Sequence, residues 1–121
     1  MSNSIQVFTE QQYTDALRSV EITDVQMAIL QEHCSTNECI DSASSLARKL
    51  GYEHYTKVSN NYSRLSEQVG SAIGYQPELR KDGSKIWWPV LYEEVESKSP
   101  LPLKLHSNFV KALVKLNLIK L

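Results

Sequence analysis

The chain has 121 residues, of which 41% are hydrophobic, and a formal net charge of −1. This length and composition predict one domain, residues 1–121, whose core needs no metal or disulfide support. The sequence pI of about 6.3 argues against a strong nonspecific nucleic-acid binder, because such domains are often far more basic. Any DNA affinity should therefore be modest or depend on a partner.

The chain shows no signal for a membrane or for export. No apolar run reaches the length of a membrane span, and the first ten residues, MSNSIQVFTE, lack the charged and apolar regions of a signal peptide. We therefore expect a cytoplasmic protein that makes no contact with a membrane.

Two helix starts mark a scaffold over residues 8–35. Thr9 and Thr23 are each followed three positions later by a glutamine, Gln12 and Gln26, which is the capping-box pattern. Apolar residues at helical spacing follow each start: Tyr13, Ala16, Leu17 and Val20 after the first, and Met27, Leu30 and Cys34 after the second. Neither helix has a chemical signature, so both are predicted to build the core.

Cys34 and Cys39 have a spacing that is typical neither of a redox pair nor of a zinc ribbon. A metal site can be drawn from His33, Cys34, Cys39 and His54, but metal ligands usually come in closer pairs. Two reduced cysteines near a helix end are the simpler interpretation. We predict no metal and no cofactor.

Residues 41–74 predict a helix-turn-helix. Asp41 or Ser42 can cap the first helix, and Gly51 supplies the left-handed residue that ends it. Its apolar stripe is narrow and partly made of alanine: Ala43, Leu46, Ala47 and Leu50. Small residues allow a neighbouring helix to approach closely, although an ordinary helical hairpin could use the same pattern.

The second helix of the pair is predicted from about His54 or Tyr55 to Ile73, with one apolar and one polar face. The apolar stripe consists of Val58, Tyr62, Leu65, Val69 and either Ala72 or Ile73. At 100° per residue, the opposite face carries Thr56, Lys57, Asn60, Arg64, Glu67 and Ser71, flanked by Asn61 and Ser63. Arginine can pair with guanine and asparagine with adenine, while lysine suits a phosphate. The alternative is an ordinary solvated helix face.

Residues 77–93 predict a two-stranded wing. Asp82-Gly83 is a strong hairpin signal, and Arg80, Lys81 and Lys85 surround it. The aromatic run that follows reads as a strand, with Trp88 toward the core in phase with Ile86 and Val90, and with Pro89 compatible only with an edge strand. The three basic side chains would reach a phosphate backbone or a minor groove. Taken by itself, the same pattern is also typical of an ordinary soluble hairpin.

Positive charge is concentrated in these two elements. From Arg48 to Trp88 there are seven basic and four acidic residues, a local net charge of +3, while the rest of the chain carries −4.

A connection from Glu93 to Pro102 leads to a last helix, residues 106–120, with Phe109 or Val110, Leu113, Leu116 and Leu118 near one side. This helix can close the core or form a homodimer surface, and core packing is favoured.

Catalysis finds little support in the sequence. The histidines are His33, His54 and His106, and no nucleophile, base and orienting carboxylate form a recognisable set. Glu96-Ser-Lys98, with Asp82 as a partner, formally matches half of a metal-nuclease pattern, but it lies in a proline-flanked connection. We predict a protein that is not an enzyme.

Four segments together resemble a known family. They are Ile22-Thr-Asp24-x-Gln26, Ser42-Ala43-x-x-Leu46-Ala47-x-x-Leu50-Gly51-Tyr52, Tyr55-x-x-Val58-x-x-x-Tyr62-x-x-Leu65, and Trp87-Trp88. The series, from about Tyr13 to Leu118, resembles bacterial winged-helix-like domains that occur alone or ahead of an HNH nuclease in modification-dependent restriction proteins of the McrA type. The chain has no HNH segment, so the resemblance implies a recognition module and gives no basis for cleavage. The matched positions are structural, and no functional residue is carried over.

The sequence therefore predicts a mainly helical α+β domain, a winged helix-turn-helix with extra terminal helices. Its predicted function is non-catalytic binding of double-stranded DNA. Lys57, Asn60, Asn61 and Arg64 would meet the major groove, and the hairpin residues Arg80, Lys81 and Lys85 would hold the backbone. The alternative is a protein-interaction module, such as a phage or plasmid inhibitor or an adaptor of a defence system, because winged helices are also used for protein contacts.

Overall fold

A computed structural model describes residues 8–95 and 99–121, and over these it combines five α-helices with short antiparallel strands. In chain order the elements are α1 (Glu10–Arg18), α2 (Asp24–Cys34), β1 (Ile40–Ser42), α3 (Ala43–Lys49), α4 (Thr56–Ile73), β2 (Glu78–Leu79), β3 (Lys85–Ile86), β4 (Tyr92–Glu94), β5 (Pro102–Leu105) and α5 (Ser107–Lys115). The predicted α+β class is confirmed.

Helices α1 and α2 begin where the sequence predicted. The Thr9 hydroxyl accepts a hydrogen bond from the Gln12 amide, and the Gln12 side chain accepts one from the Thr9 amide. Thr23 and Gln26 make the same reciprocal pair. Both capping boxes are confirmed, and each satisfies two backbone donors that a helix start leaves without a partner inside the helix.

The pair α3 and α4 also follows the sequence closely. Ser42 caps α3 by accepting a hydrogen bond from the Ser45 amide, and Gly51 follows the helix with a φ of 76°. Asp41 contributes differently, through an ion pair of 2.8 Å with Lys49. In α4 the predicted apolar residues Val58, Tyr62, Leu65 and Val69 are all buried. Ser66 and Gly70 are buried with them, whereas Ala72 is exposed and Ile73 half-buried.

The three-stranded sheet was not foreseen in the sequence. Its strand order is β1-β5-β4, all antiparallel, with Ile40 opposite Lys104 and Tyr92 opposite Leu105. Strands of three or four residues are too short to show a clear alternation of apolar and polar side chains. Two of these strands therefore lie partly in the segment that was interpreted as a connection.

The prediction of one long hairpin over residues 77–93 is wrong in extent. Only β2 and β3 pair there, with Glu78 opposite Ile86 and Leu79 opposite Lys85. Trp88–Val90 form a 3₁₀ turn with proline near its start, a position where the missing amide proton costs nothing. Pro89 thus ends the hairpin and is not part of an edge strand.

Helix α5 closes the core against α1. The rings of Tyr13 and Phe109 lie 5.4 Å apart, and the Tyr13 hydroxyl donates a hydrogen bond of 2.7 Å to the Val90 carbonyl. Phe109, Val110, Ala112 and Leu113 are buried, and the helix ends at Lys115 instead of residue 120. Since these apolar side chains pack within the chain, the favoured prediction of core packing is confirmed for them.

A buried hydrogen-bond network joins α2, α4 and the sheet. The His33 ring nitrogens lie 2.7 Å from the Tyr62 hydroxyl and 2.8 Å from the Leu103 carbonyl oxygen. A carbonyl can only accept, so Nε2 carries the proton and Nδ1 accepts from Tyr62. Both side chains are almost fully buried, and burial lowers the pKa of His33 while raising the pKa of Tyr62.

This network predicts acid sensitivity. The pKa of His33 is lower in the folded than in the unfolded chain. The contribution of neutral His33 to the free energy of unfolding should therefore be fully present above about pH 6.5 and should decrease as the pH drops below that value. Urea unfolding at pH 7.5 and pH 5.5 measures this loss. Equal stability at the two pH values would contradict the expectation.

A matched variant, Tyr62→Phe, tests the role of the hydroxyl. It leaves the buried Nδ1 atom without a donor and should lower the free energy of unfolding at pH 7.5 by about 1–3 kcal/mol. The difference from the wild type should shrink at pH 5.5, because the variant no longer favours the neutral imidazole as strongly. A constant difference at both pH values would show that the hydroxyl has no influence on the ionisation of His33.

Candidate nucleic-acid interface

The outward face of α4 presents the side chains that the helical periodicity placed there. Lys57, Asn60 and Arg64 are exposed and follow one another at intervals of three and four residues. With a rise of about 1.5 Å per residue, the stripe from Lys57 to Arg64 is roughly 10 Å long. The face thus holds two cations separated by one amide on a rigid, 18-residue helix.

Asn61 is less available than the sequence suggested. Its side-chain amide donates a hydrogen bond of 2.7 Å to the Lys57 carbonyl one turn earlier, and the residue is half-buried. One of the two N–H donors of Asn61 is therefore used within the helix. Asn60, which is exposed, has the more accessible side chain of the two.

The side chain of Lys57 has a defined neighbour. Its Nζ atom lies 4.2 Å from the centre of the Tyr52 ring, which is the geometry of a cation–π contact. Tyr52 is half-buried in the turn between α3 and α4, whereas Tyr55, at the start of α4, is 56% exposed. The lysine ammonium is therefore held against the turn.

An open groove of about 490 Å³ runs along the same turn. We call it the turn groove; its lining residues are Gly51, Tyr52, Glu53, His54, Thr56, Lys57 and Asn60. No side chain caps the start of α4. Sequence reasoning identified two of the lining residues, Lys57 and Asn60, as site residues, but gave no sign of the concavity or of the contribution of Tyr52.

The predicted turn of the basic hairpin is confirmed. Gly83 has a φ of 89°, its amide donates to the Arg80 carbonyl, and the Asp82 carboxylate accepts hydrogen bonds from the amide and hydroxyl of Ser84. These hydrogen bonds lower the pKa of Asp82. The Arg80 guanidinium donates to the Lys85 carbonyl at 2.9 Å, so this arginine is partly used within the hairpin. Arg80, Lys81 and Lys85 are all exposed.

The base of the hairpin packs against the C-terminal half of α4. The Trp87 ring lies over Gly70 and 6.2 Å from the Tyr75 ring, while Trp88 stacks on Tyr92 at 5.4 Å. Both tryptophans are half-buried, so the prediction that Trp88 alone faces the core is wrong. The reason is that the strand ends before them, and side chains in a 3₁₀ turn do not alternate between two faces.

The predicted basic residues consequently form two groups. Gly70 follows Lys57 by 13 positions, which corresponds to roughly 20 Å along the helix axis. The first group is the stripe of Lys57, Asn60 and Arg64 toward the N-terminal half of α4, and the second is the hairpin with Arg80, Lys81 and Lys85.

A second hairpin, formed by β4 and β5, carries two carboxylates on β4, and Lys104 on β5 lies opposite Glu93. Glu94 is exposed and Glu93 is half-buried on β4. The Glu96-Ser-Lys98 triplet that follows, which partly matched a nuclease pattern, lies outside the described residues. Sequence reasoning missed this hairpin, because its acidic and proline-containing connection reads as a loop.

The described part of the chain contains no group of three His, Cys, Asp or Glu side chains that could hold a metal ion. His33, which entered the drawn metal site, uses both ring nitrogens in hydrogen bonds within the core. Burial raises the pKa of the Cys34 thiol and keeps it protonated, which is unfavourable for metal binding. Among the same residues, no helix is both long and apolar enough to cross a membrane.

Comparison of the chain with protein-family models, with curated proteins and with solved structures gives no significant match.

The contact between Trp87 and Gly70 predicts the effect of a single methyl group. Alanine favours a helix over glycine by about 1 kcal/mol, but a Cβ at position 70 would lie 2.7 Å from Cε3 of Trp87. Overpacking of this kind costs about 1–3 kcal/mol, so Gly70→Ala should lower the free energy of unfolding in a urea titration.

Ser71→Ala, at the exposed neighbouring position, is the matched control and should be neutral or slightly stabilising. In a Trp87→Leu background the cost of Gly70→Ala should decrease, because the ring that is displaced is absent. A Gly70→Ala protein as stable as the wild type would show that the hairpin base does not depend on this close approach.

Proposed function

We propose that this protein is a non-catalytic, winged-helix DNA-binding module that places α4 in the major groove. The observation that carries the proposal is the exposed stripe of Lys57, Asn60 and Arg64 on a long helix that follows a short helix and a glycine turn. A second helix with its polar face outward is the element that helix-turn-helix proteins insert into DNA.

The order of the elements supports the winged-helix part of the proposal. From α2 onward the chain runs helix, strand, helix, helix and then four strands, β2 to β5, of which β5 pairs with β1 in the sheet. Without the β2–β3 hairpin, this is the order of elements in winged-helix domains, in which the last two strands, here β4 and β5, form the wing. The resemblance to the winged-helix-like domains of McrA-type restriction proteins is in agreement with it.

The chemistry of the stripe suits a duplex. Arg64 can donate two hydrogen bonds to guanine, Asn60 can exchange two with adenine, and Lys57 can neutralise a phosphate. The hairpin residues Arg80, Lys81 and Lys85 can contact the backbone farther along the same helix. The positive charge is local and the whole chain is slightly acidic, so affinity should depend more on base contacts than on bulk attraction.

Base readout is tested by alanine substitution in the stripe. Asn60→Ala and Arg64→Ala should each weaken binding to a preferred duplex by about 1–3 kcal/mol and reduce discrimination against mismatched sequences. Gln11→Ala, exposed on α1 and outside both groups of proposed contact residues, is the matched control and should change binding little. Fluorescence anisotropy with a panel of labelled duplexes gives these values. Undetectable binding to any duplex at low salt would overturn the proposal.

Backbone contact by the hairpin is tested by salt dependence. Lys81→Ala should weaken all duplexes alike and reduce the slope of log affinity against log salt by about 0.9, because one phosphate contact is lost. Glu94→Gln on β4 should not reduce that slope. If Lys81→Ala leaves the slope unchanged, the hairpin does not contact the backbone.

A protein partner is the second candidate, and the acidic β4 favours it. In a winged helix the hairpin of the last two strands lies beside the DNA, and Glu94 is exposed there in this protein. A carboxylate beside a phosphate backbone is unfavourable but suits a basic protein surface. Nuclease-treated pull-downs from the native host distinguish the two. Stoichiometric recovery of one protein that survives Lys57→Glu and Arg64→Glu would replace the DNA proposal.

A further inference from the structure

The turn groove contains a cation whose position is fixed by an aromatic ring. The Lys57 ammonium lies over one face of the Tyr52 ring at 4.2 Å, and both residues line the groove. An unrestrained surface lysine samples many rotamers, whereas this contact holds the charge at one wall of the concavity. The groove thus has a preorganised positive charge.

Other polar residues of the groove can also donate hydrogen bonds. Thr56 and His54 line it with a hydroxyl and an imidazole group, and both residues are exposed. The volume of about 490 Å³ falls within the range of roughly 300–1,000 Å³ that ligand sites in proteins occupy. Donors around a fixed cation favour an anionic ligand.

The ligand is more compatible with a phosphate group than with a base. The ammonium of Lys57 covers a face of the Tyr52 ring, so a base cannot stack on that face. Base edges are instead within reach of Asn60 and Arg64 on the outward face of α4. The groove opens at the N-terminal end of this face, where the backbone of a duplex in contact with the stripe would pass.

We infer that the turn groove receives one phosphodiester of the DNA backbone, with Lys57 as its cation and Tyr52 as the residue that positions Lys57. This inference rests on the proposed function. The one carboxylate in the lining, that of Glu53, opposes the ligand and limits affinity. The groove therefore fixes the position of the stripe relative to the backbone, and the Glu53 carboxylate lowers the affinity of the contact.

Four variants test the coupling between the two residues. Lys57→Ala should weaken binding to all duplexes and reduce the slope of log affinity against log salt by about 0.9. Its loss of affinity relative to the wild type should therefore become about 3.5-fold smaller between 50 and 200 mM salt. Tyr52→Leu should give a smaller loss in the same direction, and Tyr52→Phe, which keeps the ring face, should bind like the wild type. In the Lys57→Ala background, Tyr52→Leu should have no further effect.

Two results would overturn the coupling. One is an equal loss from Tyr52→Leu with and without Lys57, which would mean a structural role for the ring. The other is a loss from Lys57→Ala that is confined to one sequence with an unchanged salt slope, which would mean base contact.

Glu53→Gln should raise the affinity for all duplexes severalfold, and a decrease would contradict the opposing role of its carboxylate. Urea midpoints of all variants exclude misfolding as the cause.

A titration with inorganic phosphate separates this inference from the proposed function. Sodium phosphate should shift the backbone amide signals of residues 51–57 in ¹H–¹⁵N spectra, while sodium chloride at equal ionic strength should not. If no duplex binds, the proposed function fails, and shifts in this segment would keep the groove as a site for free phosphate. If duplexes bind but Lys57→Ala is without effect, the groove inference fails and the proposed function stands.

Discussion

The orientation of α4 depends on one buried imidazole. His33 on α2 accepts a hydrogen bond from Tyr62 on α4 and donates one to the Leu103 carbonyl on β5. The three elements come from distant parts of the chain, and unpaired polar groups at this depth would be costly. Rotation of α4 about its axis would break the contact of Tyr62 with His33. The network therefore adds to the buried apolar stripe of α4 in holding the same face of the helix toward the core.

A second constraint acts at the other end of the helix. Gly70 lacks a side chain on the flank of α4, and the Trp87 ring occupies the space. This contact attaches the basic hairpin roughly 20 Å from Lys57 and roughly 9 Å from Arg64 along the helix axis, from the rise per residue. The distance separates two cationic groups that the sequence suggested as neighbours. Because of this separation, the proposed interface would extend along a segment of duplex instead of forming a single patch.

The charges of the surface follow this geometry. Basic side chains lie on α4 and the β2–β3 hairpin, while β4 carries Glu93 and Glu94. A chain of near-neutral net charge can therefore present a cationic surface to one partner and an acidic one to another, since fields from exposed charges are screened within about 8 Å at physiological salt. The same screening explains why the total charge says little about the sign of either surface.

The sequence by itself determined the features that depend on residues within four positions of one another. These are the capping boxes at Thr9 and Thr23, the turn at Gly83 and the two faces of α4, because caps, turns and helical periodicity are local. Only the tertiary structure decided the sheet, in which Ile40 pairs with Lys104, the burial of His33, and the place of Trp87 on α4. Contacts between residues that are 17 to 70 positions apart leave no local pattern, and short strands gain their stability from the elements that pack on them.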